Sequence, residues 1–230
     1  MPARRGCCRY FPNMPETVAT PVLFGAAYSV YTRICRLTLT EKGVDYELRA
    51  VDIFASTGVP PDHLRRHPFA RIPAFTHGDF SIYEAAAICR YVDETFTGPA
   101  LQPPTARGGA RVTQIVSLLD AYAFRSLVMA IFVERIRAPQ RGQVPDEARI
   151  SAAIPLAERC IAAIADLLGD QTWLTGDAIS LADLHAAPMM VYFTMTAEGR
   201  GIVAAHPRLA AWWCRLRARP AMRATISPLE

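Results

Sequence analysis

The chain has 230 residues, of which 51% are hydrophobic and 20% charged, and its formal net charge is +4. At about 150 residues per domain this length fits one large or two small domains, and the composition excludes a disordered chain or a short disulfide scaffold. The basic residues, all arginines except Lys42, are spread along the chain. This spread argues against a nucleic-acid-binding surface.

The six cysteines form no CxxC pair and have no histidine at zinc spacing, so no metal site is expected. Adjacent Cys7 and Cys8 are unsuited to bridging each other, which favours reduced thiols and a cytoplasmic location. The N-terminus lacks the apolar run of a secretory signal. Since Asp183 and Pro188 interrupt the most apolar later stretch, 178–193, no membrane span is expected.

The first predicted elements alternate between strand and helix. Residues 1–20 hold no sustained pattern and are predicted to form a loose extension. The apolar run 21–26 predicts a buried strand, and a helix follows with Ser29 as its N-cap and Lys42–Gly43 at its end. Val44–Phe54 predicts a second strand, so this region forms a β-α-β unit with parallel strands.

The next elements complete the order β-α-β-α-β-β-α, which we predict to be one domain over 21–97. They are a short helical piece, a hairpin and a helix, at 62–66, 72–75 with 80–83, and 84–95. Residues 98–109 contain three prolines and three glycines and predict a linker.

Beyond the linker no strand alternation appears, so residues 110–226 are predicted to form an all-helical domain. Long helical patterns cover 111–137 and 146–168, with a kink expected at Pro155. The start of a further helix at Ser180–Asp183 resembles a capping box. A last amphipathic helix is predicted over 207–219.

Ser29 is the first candidate for chemistry. A strand that feeds a helix through Ser29 places its hydroxyl where the helix dipole and free N–H groups favour an anion. The segment Ser29–Thr32 contains no CxxC, so disulfide exchange is not expected there. The hydroxyl could instead donate a hydrogen bond to a substrate thiolate, or it could serve only as a helix cap.

Two further candidates lie near the hairpin. Ile72-Pro73 at a strand start suits either a trans edge proline or a cis bond that presents the backbone of Ile72 to a peptide-like ligand. Glu84 at a helix start could complement the dipole or bind an ammonium group. His63 and His67 have a metal-like spacing, but Pro68 breaks the helix, so they are predicted to be solvated surface residues. Cys35, on the apolar stripe of its helix, is predicted to be a core thiol.

Four stretches in this order resemble the cytosolic glutathione transferases of the serine type, a group that includes the phi, theta and zeta-like classes. They are SVYTRICRLTLTEKG, HPFARIPAFTHGDFSIYEAAAICRYV, WLTGDAISLADLHAAP and HPRLAAWWCRLRARPAM. The resemblance covers about Pro21 to Met222. It implies a thioredoxin-like α/β domain that binds glutathione as co-substrate, followed by an all-α domain.

The resemblance also implies roles for individual residues. Ser29 matches the serine that activates the glutathione thiol, and Ile72 matches the residue whose backbone pairs with the cysteinyl part of glutathione. Pro73 matches a cis-proline. Arg71 falls near the ligand backbone, and Glu84 matches the acid that meets the γ-glutamyl ammonium group.

This chain departs from the family pattern at three places. Ala85 replaces the serine that usually holds the γ-glutamyl carboxylate, although its backbone N–H is retained. Gly58-Val59 stands where a basic pair usually meets the glycyl carboxylate. The possible substitutes are His63, Arg65 and Arg66. Tyr31 replaces a cysteine of the zeta pattern, which argues against an isomerase.

The predicted activity is attack of glutathione thiolate on a small hydrophobic electrophile, bound in the helical half near Tyr122 and Phe124. The alternatives are a non-catalytic binding or interaction module and a glutathione-dependent peroxidase or isomerase. A homodimer is expected because the helix 111–137 carries apolar residues on more than one face. They are Leu118, Leu127, Val128, Ile131, Phe132 and Val133.

Overall fold

The computed structural model describes residues 19–230, in which a small sheet with three helices precedes a bundle of helices. The predicted loose extension over residues 1–20 therefore falls almost entirely outside the described residues.

The first part, called here the sheet unit, follows the predicted order β-α-β-α-β-β-α. Its elements are β1 (Val22–Phe24), α1 (Val30–Glu41), β2 (Glu47–Arg49), α2 (Pro61–Arg66), β3 (Ala74–His77), β4 (Phe80–Tyr83) and α3 (Ala85–Thr95). The strands lie in the order β2-β1-β3-β4. β1 pairs in parallel with β2 and antiparallel with β3, and β3 and β4 form the predicted hairpin.

The second strand is shorter than predicted. Only Glu47–Arg49, of the predicted run 44–54, pairs with β1. β1 itself spans three residues, and β2 lies at the edge of the sheet that the described residues form. The short β1 therefore limits how many residues of the second strand can pair. The alternation pattern of the second strand does not indicate the length of its partner.

Helix α1 is held at both ends. Ser29 caps its start, as predicted, and Gly25 at the end of β1 lies so close to Thr32 that a Cβ there would collide with the threonine side chain. At the other end the buried Lys42 ammonium contacts Asp93 Oδ1 at 3.1 Å and the Pro99 carbonyl at 3.0 Å. The ends of α1 and α3 are thereby joined to the chain that leaves the sheet unit.

The second part, called here the helical unit, begins with a long helix, α4 (Ala106–Gln140). The others are α5 (Glu147–Leu168), α6 (Leu181–Thr194), α7 (Ala197–Ala204), α8 (Pro207–Arg217) and α9 (Pro220–Ala224). One continuous hydrophobic core joins the two units. α1 packs against both α3 and α6, so α6 lies between the sheet unit and the rest of the bundle.

One expectation for the long helices needs correction. α4 begins at Ala106, inside the predicted linker, because Thr105 caps it by accepting from the Gly108 N–H at 3.1 Å. α5 runs as one helix through Pro155, and the kink at that residue stays a prediction. α4 is α-helical over Ala106–Leu118 and π-helical over Leu119–Arg137, before a last α-helical turn.

Four of the apolar residues expected at a dimer interface lie in the core of the chain itself. They are Leu127, Val128, Ile131 and Phe132, each at most 4% exposed. The 18-residue apolar window of α4, with mean hydropathy 1.7, is long and apolar enough to cross a membrane, but half of it is buried inside the chain. Since α4 packs against α5 and α6, its composition is that of a core helix.

Asp183 organises the centre of the helical unit, as its capping-box sequence predicts. Its fully buried carboxylate accepts hydrogen bonds from the N–H groups of Leu174 and Ser180, from the Ser180 hydroxyl and from Trp212 Nε1, at 2.8–2.9 Å. Burial raises the pKa of Asp183, and these donors oppose the rise. The carboxylate therefore ties α6 to α8 and to the loop before α6.

Candidate functional site

A cleft of about 400 Å³, called here the interdomain cleft, opens between the two units. The sheet unit contributes residues from α1, from the loop before β3 and from the start of α3: Tyr31, His67, Arg71, Ile72, Pro73, Glu84, Ala85 and Ala86. The helical unit contributes one face of α4: Asp120, Phe124, Arg125 and Met129. Since both units supply walls, the cleft depends on how they pack together.

Ile72 presents its backbone to the interdomain cleft. The Ile72-Pro73 peptide bond is cis, as the family resemblance predicted. Among the described residues, neither the N–H nor the C=O of Ile72 has a hydrogen-bond partner, because the β3 ladder begins only at Ala74. An adjacent free donor and acceptor can pair with the backbone of an extended peptide-like ligand.

The start of α3 offers a second set of free donors. Glu84, the N-cap, has φ of +72° and no side-chain cap bond, and Ala85 and Ala86 follow it into the cleft. A non-glycine residue with such a φ is uncommon. The first N–H groups of a helix have no partner within it and, with the helix dipole, favour an anion. The exposed Glu84 carboxylate beside them suits a cation. A zwitterionic group matches this arrangement.

The basic residues suggested as substitutes for the missing pair do not line the cleft. Arg65 pairs with Asp62, and the Arg66 guanidinium lies 4.3 Å from the centre of the Phe24 ring. His63 Nε2 donates to the Arg71 carbonyl at 2.7 Å. The arginines that do line the cleft are Arg71, which the sequence placed there, and Arg125, which it did not.

His63 and His67 are buried, so the prediction that they lie on a solvated surface is wrong. Each side chain is 2% exposed, and each Nδ1 is buried without a partner among the described residues. The His67 ring packs 4.7 Å from the ring of Tyr83. His63 lies on α2, whereas His67 follows the last residue of that helix with extended backbone, as expected for the residue before Pro68. Burial lowers the pKa of His67.

Ser29 is the half-buried N-cap of α1 and is not one of the residues that line the cleft, although Tyr31 on the first turn of α1 is. Its Oγ accepts from the Thr32 N–H at 3.3 Å, its N–H donates to the Ala26 carbonyl at 2.9 Å, and its carbonyl accepts from the Arg33 N–H. Within the described chain its hydroxyl proton has no acceptor. The hydroxyl is therefore a fixed donor at the positive end of a helix.

Tyr31, two residues after Ser29, lines the same cleft as Asp120. Burial raises the pKa of Tyr31, and the nearby Asp120 carboxylate adds to the rise. Asp120 accepts a hydrogen bond from the buried His185 Nε2 at 2.8 Å, and the centre of the Tyr31 ring lies 4.9 Å from that of Phe124. These contacts join α1, α4 and α6 at the cleft.

Three of the four cysteines in the described chain are buried, and Cys214 is exposed. Cys35 is fully buried, which confirms the core prediction, and burial together with Cys89 raises its pKa. Burial also raises the pKa of Cys160. Since the thiolate is the reactive form, Cys35 and Cys160 are poor nucleophiles. Among the described residues no group of three or more potential ligands could hold a metal ion.

Only one of the two residues predicted to contact the second substrate lies in the cleft. Phe124 lines the cleft, whereas Tyr122 is 57% exposed and does not. A period of 3.6 residues places Tyr122 on the inner face of the helix, but the π-helical turns beyond Leu119 change that period. The sequence also gave no sign of Asp120 and Met129, because the rest of the cleft comes from the sheet unit, far away in the chain, and leaves no local pattern on α4.

Two family models match this chain. A model described as "Glutathione S-transferase, N-terminal domain" matches residues 23–100, and one described as "Glutathione S-transferase, C-terminal domain" matches residues 123–220. The chain belongs to the glutathione S-transferase family. The predicted resemblance and the predicted fold, a thioredoxin-like α/β domain followed by a helical domain, are both confirmed.

Plant proteins are prominent among its relatives. Glutathione S-transferase 4 of Zea mays is 32% identical over 211 residues, covering 89% of this chain and 92% of the relative. The crystal structure of glutathione transferase F7 from Populus trichocarpa has a TM-score of 0.80 at 30% identity, with 90% of this chain and 97% of that chain covered. Glutathione S-transferase I from maize, solved with an atrazine glutathione conjugate, has a TM-score of 0.80 at 26% identity, covering 90% and 96%.

The buried state of His67 predicts an acid sensitivity. Because burial lowers its folded-state pKa below the unfolded value of about 6.5, the unfolded chain binds the proton more readily. This histidine therefore costs no stability at pH 7.5 and destabilises the fold as the pH falls below about 6.5. His67→Asn should lose less unfolding free energy than the wild type between pH 7.5 and pH 5.5, measured by denaturant titration. An equal loss in both proteins would contradict the assignment.

Proposed function

We propose that this chain is a glutathione S-transferase that conjugates the thiolate of glutathione to a small hydrophobic electrophile. The thiolate sulfur forms a bond to the electrophilic carbon, and the leaving group takes the bonding electrons with it. The observation that carries the proposal is the Ser29 hydroxyl, whose proton has no acceptor within the described chain and which sits at the start of α1. Membership of the family supports the same activity.

The energies required are within reach of this arrangement. Lowering a thiol pKa from about 8.5 by two units needs about 2.7 kcal/mol and raises the ionised fraction at pH 7 from roughly 3% to roughly 75%. A hydrogen bond to a charged group supplies about 1.5–3 kcal/mol. A helix N-terminus adds about 0.3–1 kcal/mol and up to about 2 kcal/mol when partly buried. Ser29 and α1 together therefore suffice.

Glutathione would bind along the sheet-unit wall of the interdomain cleft. The free N–H and C=O of Ile72 would pair with the cysteinyl backbone, with the cis Pro73 holding that residue at the strand start. The Glu84 carboxylate would meet the γ-glutamyl ammonium group. The Ala85 N–H, at the start of α3, would meet the γ-glutamyl carboxylate. The serine hydroxyl that the family pattern has at this position is missing. Arg71, which also lines the cleft, would receive the remaining carboxylate.

The electrophile would lie against α4, where Phe124 and Met129 offer apolar surface next to the Tyr31 ring. Arg125 adds a cation to this wall. Tyr122, exposed and outside the cleft, has no part in it. The cytoplasmic location stays a prediction that agrees with the unpaired thiols of Cys35 and Cys89.

The alternative functions have less support. A cysteine peroxidase needs a reactive thiol near the start of α1, but the described cysteines closest to that helix, Cys35 and Cys89, are buried. A binding module would explain why alanine replaces the usual serine at Ala85. It would not explain why the Ser29 hydroxyl has a proton free to donate. A glutathione transferase accounts for both Ser29 and the free backbone of Ile72.

We also propose a homodimer, on a smaller apolar surface than the sequence suggested. On α4, Tyr122 is 57% exposed, and Leu118 and Val133 are only partly buried. Static light scattering at micromolar concentration should give twice the chain mass. A monomer mass under those conditions would contradict this assembly.

Replacing Ser29 separates thiol activation from helix capping. Ser29→Ala should lower kcat/KM for a model electrophile by roughly 10–100-fold, because it removes a charged hydrogen bond of about 1.5–3 kcal/mol. The affinity for glutathione, measured by calorimetry, should change little.

Thr105→Ala is the matched control, since Thr105 caps α4 in the same way and lies far along the chain on an exposed turn. It should lose about 1 kcal/mol of stability and keep its turnover. If Ser29→Ala behaves like Thr105→Ala, then Ser29 is only a cap and the proposed function fails.

A further inference from the structure

A residue of the helical unit forms a hydrogen bond to the turn that contains Ser29. The Tyr192 hydroxyl, on α6, donates a hydrogen bond to the backbone carbonyl of Tyr28, the residue directly before Ser29. The two residues lie 164 positions apart in the chain. The Tyr192 side chain is 3% exposed, so this bond forms inside the protein rather than at the cleft surface.

Both polar groups of the Tyr28–Ser29 peptide bond are therefore occupied. The Tyr28 carbonyl accepts from Tyr192, and the Ser29 N–H donates to the Ala26 carbonyl at 2.9 Å. A planar peptide whose donor and acceptor are both bonded cannot rotate without breaking one of those bonds. The orientation of this peptide plane affects the direction of the Ser29 Cα–Cβ bond. Tyr192 therefore helps to fix the position of the Ser29 hydroxyl.

The hydrogen bond continues into the C-terminal tail, residues 225–230. Tyr192 Oη and Ser227 Oγ lie 2.6 Å apart. Because a carbonyl can only accept, the Tyr192 proton points to Tyr28, and Ser227 must donate to Tyr192. Ser227 in turn accepts from the Leu229 N–H at 3.2 Å. The bonds thus run in one direction, from Leu229 through Ser227 and Tyr192 to Tyr28.

The tail is anchored on α1 itself. The Glu230 carboxylate accepts from the Ser227 N–H at 2.8 Å and pairs with Arg33, a residue of α1 that is 1% exposed. Arg36, one turn further along α1, donates to the Thr225 carbonyl at 3.3 Å. The tail is therefore bonded directly to α1, and it also supports the start of α1 through Tyr192.

Packing alone does not account for the Tyr192 hydroxyl. The Tyr192 ring stacks on Phe132, with ring centres 4.3 Å apart and planes 5° from parallel, and phenylalanine would make the same contact. A buried hydroxyl is tolerated only where its hydrogen bonds are made, as they are here. What the hydroxyl adds is the connection between the tail and the Ser29 turn.

We propose that Tyr192, supported by Ser227, is a positioning residue that sets the Ser29 hydroxyl for the glutathione thiolate, so that the C-terminal tail takes part in thiol activation. This inference rests on the proposed function of Ser29. It gives the tail a role at the reacting sulfur without any tail residue touching it.

Tyr192→Phe tests the proposal, since it removes one oxygen and keeps the ring. We expect the pKa of bound glutathione to rise and kcat/KM to fall by about 3–10-fold, as for the loss of one neutral hydrogen bond, while the glutathione Kd stays the same. Ser227→Ala should shift the thiol pKa in the same direction by less. Thr225→Val is the control, because it removes a buried tail hydroxyl that bonds only to the Ala221 carbonyl at 2.8 Å. It should leave the thiol pKa unchanged.

The double variant Ser29→Ala/Tyr192→Phe shows whether Tyr192 acts through Ser29. If it does, Tyr192→Phe should have no further effect on the thiol pKa once the Ser29 hydroxyl is gone. An equal effect in both backgrounds, or a thiol pKa unchanged in Tyr192→Phe while Ser29→Ala raises it, overturns the inference and leaves the proposed function standing. A thiol pKa that Ser29→Ala itself does not change means that the proposed function has failed.

Discussion

The fixed start of α1 is the constraint on which the rest of this structure depends. Ser29 is both the cap of the helix and the donor for the proposed thiolate, and its peptide bond is held on one side by Ala26 and on the other by Tyr192. A hydroxyl whose direction is set before the ligand arrives loses little freedom on binding, which makes its hydrogen bond more effective. Both units of the chain contribute to this arrangement.

The cleft combines charges that match the ends of glutathione. Free N–H groups at the start of α3 and the Arg71 guanidinium favour carboxylates, and Glu84 favours an ammonium group. Asp120 carries a further negative charge, but its carboxylate accepts a hydrogen bond from His185. In the proposed binding mode these groups would recognise glutathione without the hydroxyl that is missing at Ala85.

Much of the sheet unit was predictable, because its signals are local. The Ser29 cap, the hairpin and the cis Pro73 each follow from a few neighbouring residues or from a family motif. The Asp120–His185 and Tyr28–Tyr192 contacts join residues far apart in sequence, so no periodicity could indicate them. Tyr122 lies outside the cleft because the π-helical turns of α4 turn it away from the face that a 3.6-residue period would give it.

The most direct test is a titration of the glutathione thiol on the wild-type protein, followed by the ultraviolet absorbance of the thiolate. A donor fixed at a helix N-terminus should lower the thiol pKa from about 8.5 to about 6.5, so that most bound glutathione is ionised at pH 7. Binding of glutathione with its thiol pKa unchanged would contradict the account, since Ser29 would then cap α1 without activating the sulfur.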